Sequence, residues 1–189
     1  MSGIIFLVIL VVIAVVLISS YNGLVQLRVR CDSAWSDIDV QLKRRHDLIP
    51  NLVETVKGYA SHEKGTFENI AKFRSQAMQA TTPEGKAIAE NQLTGGLGRL
   101  LAVMENYPQL KADQNVLQLQ EQLTTTENQI AYARQAYNDV VLGLNTQIET
   151  FPTNFVANTF GFKTGDYFKA AAEDQALPKV DLSLGTPHA

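Results

Sequence analysis

The hydrophobic pattern divides the chain into one unbroken apolar run followed by a series of helical stripes. Ile4 to Ile18 reads "IIFLVILVVIAVVLI", fifteen apolar residues in succession. Met1–Gly3 and Ser19–Tyr21 extend it to about twenty uncharged residues, the length of one bilayer-spanning helix. Beyond Tyr21, the residues Leu24, Leu27, Cys31, Trp35, Ile38 and Leu42 recur at steps of three or four. That spacing marks a helix burying one face. Neither Gly nor Pro occurs between Gly23 and Pro50, so the anchor and the first soluble helix are expected to form one rod.

Pro50 is the first expected break. Asp47 can act as N-cap and places Pro50 in a first helical turn, where its missing N–H costs little. The second helix then runs from about Leu48 to Ala80, carrying Leu52, Val56, Tyr59, Ile70, Phe73 and Ala77 on its stripe. Gly58 and Gly65, seven apart, would let another helix approach it closely. Thr82-Pro83 is an N-cap followed by proline at the favoured first position, and it opens a third helix that closes at Tyr107-Pro108. A fourth runs from about Gln109 to Thr150, with Leu117, Leu123, Ile130, Tyr137, Val141, Leu144 and Ile148. No segment shows strand alternation. The expected fold is all-α: an N-terminal transmembrane helix continuing into an elongated antiparallel four-helix bundle. The expected domains are an anchor (1–21), the bundle (22–150), an aromatic membrane-proximal segment (151–168) and a short helix or extended tail (169–189).

Antiparallel order returns the end of the fourth helix to the bilayer, and with it "FPTNFVANTFGF". Four phenylalanines fall in those twelve residues: Phe151, Phe155, Phe160 and Phe162. They either cap the bundle's end or meet lipid or a partner, together with Tyr21 at the interface and Arg28 and Arg30 just beyond it. No Lys or Arg precedes the apolar run, and Ile18-Ser19-Ser20 is a poor cleavage site, which favours an anchor over a signal peptide. The basic pair Arg28 and Arg30 places the N-terminus outside and the bundle in the cytoplasm, a periplasmic bundle being the alternative.

The stretches "AWSDIDVQLKRRHDLIPNLVETVKGYASHE", "ENYPQLKAD", "TENQIAYARQAYND" and "NTQIETFPTN" occur in this order and together resemble the LemA family. The resemblance extends from Tyr21 to about Val180. It implies a bacterial inner-membrane protein with one N-terminal span, a helical bundle in the cytoplasm, and no established catalytic activity. Gly95-Gly96-Leu97-Gly98 departs from a plain helix and points to a kink or to close packing.

Composition narrows the chemistry. The net charge is −3 over 189 residues, without the basic footprint of a nucleic-acid-binding protein. A single cysteine, Cys31, excludes an internal disulfide. His62-Glu63 lacks the second histidine four residues on that a zincin helix requires, and the glycine cluster lacks the Gly-Lys-Ser/Thr of a P-loop. No catalytic residue, cofactor or metal is expected. Lys43-Arg44-Arg45 falls at the expected C-terminal end of the first helix, where it favours the helix dipole or faces a partner.

Polar residues on the packing stripes are the remaining signal. The stripe Trp35, Ile38, Leu42 reaches Arg45 at its next step, and Glu63 falls between Val56 and Ile70. Glu127 and Arg134 lie seven apart, as do Asn138 and Asn145. A buried charge must be paired. Asp39, Arg45, Glu63, Arg74, Glu127, Arg134 and Asn138 are therefore expected to form a structural polar layer that sets helix register. The function read from this is a membrane-anchored scaffold that self-associates as a homo-oligomer in the lipid bilayer. The alternatives are a tethered adaptor for a protein partner such as a membrane protease and, third, a metal-dependent enzyme.

Overall fold

The computed structural model describes residues 1–168; the expected tail, with its candidate partner-binding stretch "DQALPKVDLSL", lies outside the described residues. Six helices form: α1 (Ser2–Lys57), α2 (Lys64–Gln79), α3 (Pro83–Glu105), α4 (Pro108–Ala112), α5 (Gln114–Glu149) and α6 (Thr153–Phe160). No strand forms among the described residues, and the all-α class holds.

The expected break at Pro50 does not occur. α1 continues through Pro50 to Lys57 as one helix of 56 residues, about 84 Å long. A proline inside a helix leaves the carbonyl four residues earlier without its N–H partner. Here that carbonyl belongs to His46, and Arg74 Nε of α2 donates to it at 2.8 Å. Asp47 is consequently an exposed residue within α1, not an N-cap. Likewise Lys43 and Arg44 lie nearly four turns short of the true helix end. The chain reverses at residues 58–63 instead, so Gly58 and Gly65 belong to different elements and offer no common face.

Local chemistry sets the other boundaries. Thr82 caps α3, its Oγ1 accepting from Gly85 N at 3.1 Å. Asp113 caps α5, its Oδ1 accepting from Asn115 N (2.8 Å) and Val116 N (3.3 Å). The exposed Tyr59 hydroxyl donates to the other Asp113 oxygen at 3.1 Å, tying the reversal after α1 to the start of α5. The expected fourth helix is thus interrupted at Asp113, with the five-residue α4 split from its front. α3 runs unbroken through its glycines, and Gly96 accounts for one of them. A Cβ there would stand 3.1 Å from the Phe73 ring, so the glycine lets α3 lie close on α2.

The long α5 runs back along α1, while α2 and α3 form a short hairpin with each other. At 16 and 23 residues, that pair cannot match the lengths of α1 and α5. The elongated all-α arrangement is therefore uneven along its length: beyond the reach of α2 and α3, α1 packs, among the described residues, with α5, α6 and residues 161–168.

Two apolar cores result. The distal one gathers Ile49, Leu52, Val56, Ile70, Leu93, Leu97, Leu100 and Leu123; the membrane-proximal one gathers Leu24, Ile38, Leu42, Ile130, Tyr137, Val141, Leu144 and Phe168. Residues 1–19 are exposed throughout, as a span surrounded by lipid would be.

Candidate functional site

Between the two cores lies a polar layer. On α1 it falls between Leu42 and Ile49, and on α5 between Leu123 and Ile130. Its centre is Arg45, only 1 % exposed. The guanidinium donates from Nη2 to Glu90 Oε2 (2.5 Å) and to the Glu90 carbonyl (3.0 Å). Nη1 donates to Glu127 Oε1 (2.6 Å) and Thr94 Oγ1 (3.1 Å). One side chain from α1 thereby clamps α3 and α5. A guanidinium can do this because its fork presents five N–H donors in one plane. The buried His46 Nε2 lies 2.8 Å from the other Glu90 oxygen, a close contact without hydrogen-bond alignment.

The remaining expected members of the layer are placed as follows. Asp39 pairs with Lys86 of α3, whose ammonium also lies over the Trp35 ring at 5.3 Å. Arg74 serves the Pro50 carbonyl gap. Glu63 is corrected: it occupies the N-cap position of α2, without a capping side-chain bond, because the reversal removes it from the stripe. Arg134 lies over the Phe168 ring at 4.5 Å, near the extended segment. Asn138 is also corrected, since it holds that segment and not a neighbouring helix.

The extended segment is gripped by main-chain pairing. Asn138 accepts from Phe168 N (2.9 Å) and donates to Phe168 O (3.1 Å). Asn145 does the same with Gly165, at 2.8 and 3.1 Å. Seven residues of helix rise about 10.5 Å. Three of extended chain rise about 10 Å. The asparagine pair on α5 therefore matches the pitch of the segment lying beside it. The Tyr137 hydroxyl adds a bond to Asp166 O at 2.9 Å, and Phe168 is buried against Trp35. Burial also pushes the Tyr137 phenol up, with smaller contributions from the nearby Cys31, Asp166 and Asp32.

At the membrane end, Tyr21 meets Phe160 and Phe162 edge to face, with centroids 4.9 and 5.8 Å apart. Phe151, Phe155 and Phe160 remain 63–74 % exposed. Arg28 and Arg30 are exposed on α1, and Arg30 lines a polar groove with Ser19, Ser20, Gln26 and Gln147.

Sequence reasoning missed Glu90, although the signal was present. Stepping back by three from the stripe Leu93, Leu97, Leu100 and Met104 reaches it, just as stepping forward from Leu42 reaches Arg45. Thr94, one turn beyond Glu90, joins the clamp for the same reason.

The family model described as "LemA family" matches residues 34–182. The chain belongs to the LemA family. This LemA-family chain is 27 % identical over 197 residues to Magnetosome protein MamQ 1 of Paramagnetospirillum magneticum, covering 90 % of this chain and 70 % of that protein. It is 26 % identical over 204 residues to Magnetosome protein MamQ of Magnetospirillum gryphiswaldense, covering 94 % and 73 %. Against Protein LemA of Metamycoplasma hominis it is 26 % identical over 162 residues, covering 85 % and 72 %. The N-terminal apolar helix and these relatives together describe a membrane-associated helical protein.

Proposed function

We propose that this chain is a non-catalytic scaffold: a rigid helical post that self-associates in the bacterial inner membrane, with its bundle on the cytoplasmic side. The observation carrying the reading is the outer face of α1. Val25, Val29 and Val40 stay exposed on one stripe, spaced four and eleven residues apart, opposite the buried Leu24, Ile38 and Leu42. Ser33 and Ser36 lie between them, so another helix can approach along the stripe. The stripe continues directly from the span. Copies anchored in one bilayer are held parallel, which lowers the cost of pairing such faces into a closed assembly. Arg28 and Arg30 just past the span support the cytoplasmic side. Relatives named magnetosome proteins support a membrane-associated role.

The test is the mass of the intact chain in nanodiscs, by mass photometry, beside a chain starting at Tyr21. A defined multiple of the 20.8 kDa protomer is expected for the full chain. Val29→Lys with Val40→Lys should return it to a single copy. A single copy throughout would overturn self-association and favour the adaptor reading, in which the tethered bundle serves a different protein.

A further inference from the structure

Where α6 lies beside the end of the span, an open groove of about 440 Å³ is lined by Leu17, Ile18, Tyr21, Phe155, Val156 and Phe160, with Thr159 at its edge. No charged side chain borders it. The Thr159 hydroxyl already donates to the Phe155 carbonyl at 2.7 Å, so the groove has no free donor there. Apart from the hydroxyls of Tyr21 and Thr159 the lining is apolar, so an apolar occupant fits it. What covers it follows from its wall: Leu17 and Ile18 belong to the span, so the groove opens where acyl chains lie. α6 itself is about 12 Å long. It buries Thr153, Val156 and Ala157 inward and leaves Phe155 and Phe160 outward, with Phe151 exposed just before it. Three outward phenylalanines beside a span are the residues expected at the boundary between headgroups and acyl chains.

We propose that this groove binds an acyl chain of a bilayer lipid, with α6 resting in the interfacial layer and its phenylalanines inserted. The proposal rests on the membrane anchoring inferred above, and the experiment separates the two. The full chain is reconstituted in phosphatidylcholine nanodiscs containing a phospholipid with a diazirine in its acyl chain. After irradiation, adducts are mapped by mass spectrometry. Adducts are expected in two stretches, 4–18 and 155–160, and on Tyr21 in the groove wall. Phe155→Ser with Phe160→Ser should lower those on α6 about tenfold, the factor for withdrawing an inserted phenylalanine, and leave those on 4–18 unchanged. Thr159→Trp, which narrows the groove, should remove adducts on Tyr21 while those on the outward Phe155 persist.

Adducts confined to 4–18 would overturn the lipid site but keep the anchor. Protection of α6 together with its cross-linking to a second copy would overturn it in favour of a protein contact. Persistence of the Tyr21 adducts in Thr159→Trp would overturn the groove as the seat of the chain. Absence of adducts from 4–18 would overturn the anchoring itself, and the lipid site with it.

Discussion

Truncating Arg45 removes a guanidinium that four acceptors share and leaves the Glu90 carboxylate buried with only His46 beside it. Breaking one side of a buried ion pair costs about 3–5 kcal/mol. Arg45→Met should therefore lose that much in urea unfolding of the detergent-solubilised chain. Glu127 is different: its side chain is 35 % exposed and can rehydrate, so Glu127→Gln should cost about 1 kcal/mol or less. Arg45→Met combined with Glu90→Leu should recover most of the loss, because no buried charge is left stranded. A double variant as unstable as Arg45→Met would show that the loss came from packing. Cys31 makes a separate residue-scale prediction. Burial, then the charge of Asp32, pushes its thiol up, so the thiolate is scarcer in the fold than in the unfolded chain. Alkylation at neutral pH should be slower in the native protein than in urea. The folded state holds this proton more tightly, so the stability from Cys31 is full at neutral pH and is lost as pH rises through the thiol range.

At the scale of elements, the chain's organisation was legible wherever the physics is local. The apolar run, the i, i+3, i+4 stripes and the Thr82-Pro83 start of α3 all depend on near neighbours. Pro50 was misread because its outcome depends on Arg74, which lies 28 positions from the His46 carbonyl that it captures. A capping signal at Asp47 and a capture of the His46 carbonyl by another helix compete, and only the fold reveals the second. The same reasoning explains Glu63, which left its stripe when the reversal moved eight residues along the chain from Pro50. It also explains Asn138 and Asn145, whose seven-residue spacing was visible while the segment it matches was not. Arg74→Met should uncover the His46 carbonyl at a cost of about 1–3 kcal/mol. Hydrogen exchange in residues 46–54 should rise with it. In a Pro50→Ala background the helix supplies its own N–H, and Arg74→Met should then cost much less. Equal costs in both backgrounds would separate Arg74 from the proline. For the extended segment, Asn138→Ala with Asn145→Ala removes four main-chain bonds. Tryptic cleavage at Lys163 should quicken by about tenfold, the equivalent of roughly one to two net hydrogen bonds.

For the whole molecule, the consequence of an unbroken α1 is mechanical. One helix joins the bilayer to the far end of the distal core, so the height of that end above the membrane is fixed by helix rise and not by a linker. A helix hinged at Pro50 would let the distal core tilt on the proximal one. The Arg74 bond at His46 and the Arg45 clamp, both just before that point, hold α1 against α2, α3 and α5 and oppose such a tilt. Spin labels at Val25→Cys and Lys57→Cys, both exposed sites on α1, in a Cys31→Ser background should report this directly. The two positions are 32 residues apart on one helix, which corresponds to about 48 Å. A narrow distance distribution near that value is expected for the full chain in nanodiscs. Arg74→Met should broaden it toward shorter distances, and Pro50→Ala should narrow it again. A broad distribution in the unmodified protein would mean a flexible tether. The stripe of Val25, Val29 and Val40 ends ten residues before Pro50, so a bend there would leave the proposed contact face straight and let only the distal core tilt away from it.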